Sequence, residues 1–261
     1  MNAIEIKNLS KIYKKNIQAL DDFSLKIPAS VVYGIIGPNG AGKSTIMNIL
    51  AGVLDRTDGD ISILGQPISK DDYEYKRKAG FVLENPYYIE KLTIKDYLHF
   101  CGAMYEIPVD ETKSRTRELL SFFELTDKEG SWIEACSKGM KKKVALAAAM
   151  IHQPQLLILD EPLEGMDPIS AKKTKDNLRL MSQKGNTVVI TSHNLDTVEK
   201  FCDEIAIIHQ GKLIFEAKTT EIRHKIKNEV TQETYRSLEE IFVDVVSDQE
   251  NSSSSQKLSW L

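Results

Sequence analysis

Apolar and polar residues alternate in two segments near the start of the chain, residues 4–9 and 23–27. Alternation with a period of two is typical of strands that bury one face, so both segments predict half-buried strands. Residues 31–36 are almost wholly apolar, which predicts a strand that is buried on both faces. Apolar residues then recur at the spacing of one helix face, and Gly52 lies near the predicted end of that helix. These residues are Ile46, Ile49, Leu50 and Val53.

Short apolar strands and a long helical stretch follow along the chain. Strands are predicted at residues 61–64, 80–83, 156–159, 188–190, 205–209 and 212–215, the last two as a hairpin. Residues 93–150 follow a mostly helical pattern, with one helix at 94–105 after the N-cap residue Thr93 and another at 115–123. Near-continuous apolar strands are typical of parallel sheets, so the pattern indicates an α/β fold.

The C-terminal part of the chain differs in composition from the rest. Residues 219–227 and 237–246 predict two short helices, and residues 251–256 are rich in serine and are predicted to be disordered. We therefore expect a main domain over residues 1–215 and a short C-terminal extension over residues 216–261.

Composition adds only broad limits. The 261 residues are 41% hydrophobic and 28% charged, which is ordinary for one large globular domain or two small ones. The formal net charge of −4 argues against a broadly basic surface for nucleic acid. The longest apolar run, residues 144–151, is too short to span a bilayer, and the first residues lack the pattern of a signal peptide. The three cysteines form no metal or disulfide pattern, which suits a reducing compartment.

A glycine-rich segment follows the strand at 31–36 and matches the pattern G-x-x-x-x-G-K-[ST] of a phosphate-binding P-loop. In such a loop, successive backbone N–H groups point at phosphate oxygens, and the positive end of the next helix faces the same anion. Lys43 is expected to reach the β- and γ-phosphates, and the Ser44 hydroxyl to bind Mg²⁺. A plain glycine-rich turn is the alternative. The predicted phosphate-binding residues are Gly37, Pro38, Asn39, Gly40, Ala41, Gly42, Lys43, Ser44 and Thr45.

Two carboxylates, Asp160 and Glu161, end the apolar strand at 156–159. This arrangement fits a Walker B motif, in which one carboxylate holds Mg²⁺ and the other orients or deprotonates the water that attacks the γ-phosphate. Because side chains alternate along a strand, Asp160 is predicted to take the metal and Glu161 the water. Taken alone, such a pair is usually a strand meeting solvent, and the P-loop earlier in the chain is what favours the catalytic assignment.

The segment Cys136-Ser137-Lys138-Gly139-Met140 lies just before an alanine-rich helical stretch. Together with the P-loop and the Leu-Asp-Glu-Pro motif, this layout resembles the ATP-binding cassette family over about residues 4–215. Ser137 and Gly139 match the second and fourth positions of the family's L-S-G-G-Q signature. The resemblance implies a helix start that presents Ser137 and backbone N–H groups to ATP on an opposing subunit, and the same residues also suit a helix cap. The lysines at 141–143 are expected on a solvated helix face.

Three further residues take their roles from the resemblance alone. His193 lies where the family places a histidine that contacts the γ-phosphate, and Asp167 lies in a segment that resembles the D-loop of the dimer interface. Tyr13 lies where the family places an aromatic ring that stacks on adenine. An incidental histidine at a strand end and an exposed loop tyrosine are the plain alternatives.

Glu84 departs from the family, which normally has glutamine at this position of its Q-loop. Glutamate keeps an oxygen for Mg²⁺, but it adds a negative charge that repels the γ-phosphate and loses the amide donor. From its Q-loop position, Glu84 is nevertheless expected among the residues that bind the metal and ATP. A glutamate here, together with the Ser-Lys-Gly-Met signature, resembles the ABC-2-like branch that exports drugs, antimicrobial peptides or lipids.

The resemblance implies an α/β fold: a P-loop NTPase core with a mostly parallel sheet, an N-terminal antiparallel β-subdomain and a helical subdomain inserted at about residues 87–150. It implies an ATPase subunit that binds ATP and Mg²⁺. The expected catalytic residues are Glu161, His193 and Lys43, and the expected metal ligands are Ser44, Glu84 and Asp160. No nucleic-acid partner is expected.

Two cassettes, identical or different, are expected to pack head to tail around ATP and to drive a separate transmembrane permease, most simply an exporter. The chain is then expected in the cytoplasm, on the inner face of the membrane. One alternative is a soluble cassette ATPase that acts on nucleic acid or protein complexes, although neither a second cassette nor a long coiled-coil insertion is present. The other is a module that binds ATP only as a dimerisation switch. Four intact residues argue against it: Lys43, Asp160, Glu161 and His193.

Overall fold

The strands of the computed structural model form two sheets, and the structure describes residues 1–69, 73–222, 226 and 234–250. In chain order they are β1 (Asn2–Tyr13), β2 (Ile17–Pro28), β3 (Val32–Ile36), β4 (Asp58–Ile63), β5 (Gln66–Pro67), β6 (Ala79–Val82), β7 (Leu156–Leu159), β8 (Thr187–Thr191), β9 (Glu204–His209) and β10 (Lys212–Lys218). One sheet is antiparallel, in the order β2-β1-β4-β5. The other has the order β10-β9-β3-β8-β7-β6 and is parallel except for its β9–β10 hairpin. The predicted α/β fold with two such sheets is confirmed.

Some of the helices pack against the larger sheet. Others lie between β6 and β7 in the sequence and form a separate helical layer. In chain order they are α1 (Lys43–Leu50), α2 (Ile94–Met104), α3 (Val109–Phe122), α4 (Lys138–Met150), α5 (Pro168–Gln183), α6 (Leu195–Phe201), α7 (Thr219–Ile222) and α8 (Leu238–Glu250). Short 3₁₀ turns lie at Lys14–Asn16, Glu74–Arg77, Thr126–Lys128 and Ile133–Ala135. The inserted helical subdomain consists of α2, α3 and α4, which pack on one another, and α4 also packs against β6. The domain boundaries themselves stay predictions.

Five helices begin at a polar residue whose side-chain oxygen accepts a backbone N–H from the first turn. This bond satisfies one of the N–H groups that have no partner inside a helix. Thr93 caps α2 as predicted, where its Oγ1 accepts from the Asp96 N–H at 3.1 Å. The other caps are Ser137 on α4, Asp167 on α5, Asn194 on α6 and Ser237 on α8.

Strand β3 is the centre of the core. Its side chains alternate between two hydrophobic clusters, with Val32 and Ile36 on one face of the sheet and Tyr33 and Ile35 on the other. All five of its residues are buried, as the apolar run predicts. The P-loop therefore starts from a strand whose residues are all buried.

Several predicted boundaries were wrong. The P-loop helix ends at Leu50, and Val53 is exposed rather than part of its buried face, because Gly52 has a φ of +63° and turns the chain. Helix α3 begins at Val109 rather than at residue 115, with Asp110 and Glu111 in a first turn where acidic side chains are favoured.

Helix α5 was not predicted from the apolar pattern. Its buried stripe repeats every four residues but contains small polar side chains, so hydrophobicity alone does not reveal it. The stripe consists of Ser170, Thr174, Leu178 and Ser182. The sequence did contain a signal for the start of α5, because an N-cap aspartate followed by proline is common at the beginning of a helix.

The C-terminal extension returns to the main domain through α8. The backbone N–H of Leu238 donates to Glu199 Oε2 at 2.9 Å, and α8 packs against α6. The helix predicted at 219–227 is a single turn at Thr219–Ile222, and the rest of it, apart from residue 226, lies outside the described residues, as does the serine-rich segment at 251–256. In the described ranges, no helix combines the length and the apolarity needed to cross a bilayer.

Gly80 of β6 provides a test of the contact between the sheet and the helical subdomain. A Cβ built at Gly80 would lie 2.1 Å from the backbone oxygen of Ala149, so the helix and the strand would have to separate. We expect Gly80→Ala to lower the free energy of unfolding by about 1–3 kcal/mol. Gly130→Ala, whose added Cβ meets nothing within 4 Å, is the matched control. Equal urea midpoints for the two variants would contradict this contact.

Candidate active site

The P-loop connects β3 to α1 and is shaped by two glycines in the left-handed region. Gly40 has a φ of +81° and Gly42 a φ of +109°, conformations that other residues rarely adopt. A Cβ at Gly40 would meet nothing within 4 Å, so the space above the loop is open there. The first N–H groups of α1 have no intrahelical partners and face this loop. The loop therefore has the form of a cradle for an anion.

The Lys43 ammonium lies inside the loop. Its Nζ donates to the backbone oxygens of Gly37 at 2.6 Å and Pro38 at 3.0 Å. Partial burial lowers the pKa of Lys43, and the nearby carboxylates of Glu161, Asp160 and Glu84 oppose that shift. Three predicted site residues from distant parts of the chain thus lie close enough to Lys43 to act on its charge.

Asp160 is the most enclosed carboxylate of the site, with 1% of the residue exposed. Its Oδ1 accepts a hydrogen bond from Thr191 Oγ1, whereas Oδ2 is buried and has no hydrogen-bond partner among the described residues. A buried carboxylate oxygen without a partner is costly, and a cation removes that cost. Ser44 Oγ lies nearby in the P-loop and donates to Glu84 Oε2 at 3.2 Å. Oxygen donors of this kind fit Mg²⁺.

Glu161 lies beyond the end of β7, and its carboxylate has a different neighbour from that of Asp160. The expected cause, alternation along a strand, was wrong, because β7 ends at Leu159. Glu161 instead adopts a φ of +45°, which is rare for a residue with a side chain, and its N–H donates to Thr191 Oγ1 at 2.9 Å. Its Oε1 lies 3.2 Å from His193 Nδ1, so the structure brings these two predicted residues together.

The signature segment forms the N-terminus of α4. Ser137 Oγ accepts from the Met140 N–H at 3.2 Å, which confirms the helix cap. Gly139 lies against the loop that follows Glu161, since an added Cβ would be 2.7 Å from the backbone oxygen of Gly165. In the ranges that the structure describes, no hydrogen bond joins Ser137 or Gly139 to the P-loop.

Comparisons with known proteins agree with this geometry. A family model described as "ABC transporter" matches residues 20–164. The linearmycin resistance ATP-binding protein LnrL of Bacillus subtilis (strain 168) is 36% identical over 92% of this chain and 77% of its own length. The chain belongs to the ABC transporter family. It is an ATP-binding cassette with ATPase activity, the class in which its fold and its relatives place it.

Other relatives and solved structures support the same family. The daunorubicin/doxorubicin resistance ATP-binding protein DrrA of Streptomyces peucetius is 33% identical over 87% of this chain and 69% of its own. A structure of an ATP-binding subunit of an ABC transporter has a TM-score of 0.84 and 30% identity, and the match covers 94% of this chain and 99% of that chain. A dimeric, post-hydrolysis structure of the cassette MJ0796 bound to ADP and Pi has a TM-score of 0.75 and 26% identity, over 83% and 98% of the two chains.

The three lysines that follow the cassette's signature do not share a solvated face. Successive helical residues point in different directions, so each lysine meets a different neighbour. Lys141 Nζ lies 3.5 Å from Glu90, and Lys143 Nζ lies 3.7 Å from Asp167. Lys142 is 4% exposed, and its Nζ donates to the backbone oxygen of Asp160 at 3.4 Å. The expectation of a solvated face was therefore wrong for Lys142.

Tyr13 and Asp167 occupy the edges of the cassette's site. The Tyr13 ring is partly exposed at the end of β1, and its hydroxyl lies 3.3 Å from Thr45 Oγ1. Asp167 caps α5, and hydrogen bonds from Ser170, aided by Lys143, lower the pKa of Asp167 to about 2. Tyr13 is thus beside the P-loop, whereas Asp167 caps α5 and pairs with Lys143 of its own chain.

Thr191 was missed by sequence reasoning. It is buried at the end of β8, where its hydroxyl contacts both Asp160 and Glu161. Strand pairing would have revealed it, because Leu159 of β7 lies opposite Ile190 of β8 and the next residues of both strands are then neighbours. No local motif marks Thr191, and its role depends on that register.

Lys43 provides a test of nucleotide binding. Because its ammonium is the cation that lies within the P-loop, we expect Lys43→Ala to lower the affinity for ATP by about tenfold or more, since a charge-assisted contact to phosphate is lost. The measurement is a titration with a fluorescent ATP analogue. Lys26→Ala, which removes an exposed lysine paired with Glu5, should bind as the parent does. An unchanged affinity in Lys43→Ala would remove Lys43 from the site.

Proposed function

We propose that this chain is the ATP-hydrolysing subunit of a membrane exporter, in which ATP draws two cassettes together head to tail. The observation that carries the proposal is the division of the site. Lys43, Asp160 and Glu161 converge, whereas within the described residues the signature serine, Ser137, has no hydrogen bond to the P-loop. A helix N-terminus that makes no hydrogen bond to the P-loop of its own chain is suited to the nucleotide of a second cassette.

Each residue of the half-site is assigned a separate task. The P-loop N–H groups and Lys43 bind the phosphates, and Tyr13, at the loop's edge, stacks on adenine. Ser44, Asp160 and Glu84 hold Mg²⁺, which when bound neutralises phosphate charge. Glu161 accepts the proton of the attacking water as its general base.

His193 completes the half-site by orienting Glu161. Its Nδ1 lies 3.2 Å from Glu161 Oε1 while most of its side chain remains exposed, so the ring can also reach the γ-phosphate. The proton removed from water is then held on the Glu161 carboxylate next to the imidazole.

A second cassette supplies the opposite wall of the site through Ser137, Gly139 and the segment around Asp167. This arrangement is supported by the 26% identical cassette MJ0796, whose structure is dimeric and contains ADP and Pi. The phosphate then receives donors from two subunits, and hydrolysis removes the contacts that hold them together. ATP is in this way a ligand that favours one of two states of the pair.

A transmembrane permease is the proposed partner, with the chain held at the cytoplasmic face of the membrane. The segment after Glu84 offers an apolar surface for it, because Tyr87 is 88% exposed and Ile89 is also exposed. Tyr88, between them in the chain, packs inward and donates from its hydroxyl to the Lys141 backbone oxygen at 2.8 Å. Export, rather than import, is supported by the resistance named for LnrL and DrrA.

Glu161 provides the central test. Glu161→Gln keeps the shape but removes the base, so ATP turnover should fall by about a hundredfold or more. ATP binding should stay within about threefold, and size-exclusion chromatography with ATP should show a persistent dimer. Glu118→Gln, on the exposed side of α3, should leave turnover unchanged. Parent-like hydrolysis by Glu161→Gln would falsify the assignment of the base, and an absence of dimer in both proteins would count against the head-to-tail assembly.

Glu84 provides a test of the unusual Q-loop residue. Its carboxylate lies beside Ser44, so it repels an ATP molecule that arrives without a metal ion. We expect Glu84→Gln to raise the affinity for ATP about three- to tenfold in the presence of a chelator, in line with Coulomb energies of about 1 kcal/mol. The gain should disappear when Mg²⁺ is added. Glu90→Gln is the matched control, since Glu90 pairs with Lys141 away from the loop. An equal or lower affinity in Glu84→Gln would contradict the proposed repulsion.

A further inference from the structure

The peptide group between Asp160 and Glu161 is bound at both of its polar atoms. Its C=O accepts from Lys142 Nζ at 3.4 Å, and its N–H donates to Thr191 Oγ1 at 2.9 Å. Both partners are buried, with 4% of Lys142 and 0% of Thr191 exposed. They come from different elements, α4 and β8, on two sides of the chain that leaves β7.

The position of Lys142 is a poor one for a residue that serves stability alone. An ammonium has three donors, and burial without full hydrogen bonding is unfavourable. Its Nζ has one long bond, and no ion pair with a described carboxylate accompanies it. Asp160, Glu161 and Glu164 carry the negative charges that face it, and Lys138 adds a positive one from its own helix. In the described part of the chain, Lys142 and Asp160 are the only buried residues among the lysines, arginines, aspartates and glutamates, and they are in contact.

Glu161 gives this peptide a reason to be held. A φ of +45° places the residue in a region that side chains disfavour, so the chain would relax from it without support. Rotation of the peptide would break the bond from the Glu161 N–H to Thr191 Oγ1, the hydroxyl that also holds Asp160 Oδ1, and would move the Glu161 carboxylate relative to His193. The two carboxylates therefore depend on one peptide orientation.

We propose that Lys142 and Thr191 are positioning residues that together fix the Asp160–Glu161 peptide, so that one carboxylate faces the metal and the other faces the attacking water. This inference rests on the proposed roles of Asp160 and Glu161. Neither Lys142 nor Thr191 contacts the nucleotide in this scheme. They act through the backbone, and their removal slows hydrolysis without weakening ATP binding.

Lys142 also gives helix α4 two tasks. The first turn carries Ser137, which is proposed to serve the nucleotide of the partner cassette, and the second turn carries Lys142, which holds the catalytic peptide of its own cassette. A shift of α4 when the second cassette docks would move Lys142 and so change the position of Glu161. Helix α4 thus couples the docking of the second cassette to the position of Glu161, the proposed general base.

The first experiment replaces Lys142 by methionine, which keeps the length of the side chain and removes its charge. We expect kcat to fall about tenfold to a hundredfold, the range found when a group that orients a metal ligand is lost. The affinity for a fluorescent ATP analogue should stay within twofold. The Tm should be unchanged or higher, because a buried charge is replaced by an apolar group. Lys141→Met, the same change one position earlier, should match the parent in all three measurements.

A double-mutant cycle distinguishes whether Lys142 affects hydrolysis through Glu161 or through the signature residue Ser137. If Lys142 acts through Glu161, then Lys142→Met should add less than twofold to the loss already caused by Glu161→Gln in single-turnover hydrolysis. With Ser137→Ala the losses should multiply, because Ser137 serves the other nucleotide. The reverse pattern, multiplication with Glu161→Gln and none with Ser137→Ala, would overturn the proposal and assign Lys142 to the signature.

Thr191 provides an independent test of the same inference. Thr191→Val keeps the volume of the side chain but loses both hydrogen bonds, so kcat should fall at least tenfold. Thr191→Ser keeps the hydroxyl, so its kcat should lie within threefold of that of the parent. A parent-like kcat in Lys142→Met or in Thr191→Val, or a fall in Tm and ATP affinity alongside kcat in Lys142→Met, would overturn the inference. These results are separable from the proposed function, which is tested by the turnover of Glu161→Gln and by the ATP-dependent dimer.

Discussion

Parallel strands bring the site together, because β3, β6, β7 and β8 all end at one edge of the larger sheet. The P-loop leaves the end of β3, and Glu84 follows the end of β6. Asp160 and Glu161 follow β7, and His193 follows β8. In parallel sheets, ligands bind at the carboxyl ends of the strands, and here the register places each loop at the same height. Groups that are far apart in the chain therefore meet around the Lys43 ammonium.

This arrangement leaves a surplus of negative charge. Three carboxylates act on Lys43, and one of them, Glu84, stands where the family has an uncharged amide. The buried Oδ2 of Asp160 lacks a partner in the described part of the chain, so without a cation the site holds unfavourable electrostatic energy. Binding of nucleotide and of metal should accordingly depend strongly on each other, more than in a site with a neutral Q-loop residue.

The sequence was sufficient for features that local chemistry determines. The buried β3, the P-loop glycines and the cap at Ser137 each follow from a short pattern. Features that depend on tertiary contacts could not be obtained in this way. Three consecutive lysines look alike in sequence, and only the packing of α4 against the end of β7 distinguishes Lys142 from its neighbours. Thr191 likewise gains its importance from strand register, which a single sequence does not specify.

The close approach of Gly139 to Gly165 has a consequence for how two nucleotide sites could exchange information. The start of α4 and the loop are in direct backbone contact. Within that loop, the Glu164 N–H donates to the backbone oxygen of Glu161 at 3.3 Å. In an assembly of two cassettes, the signature of one chain would contact one ATP and its Glu161 would serve the other. Only a few peptide groups separate these two parts of the chain. Allosteric communication over this span needs no pathway through the core, and its strength would be set by the stiffness of a single turn of backbone.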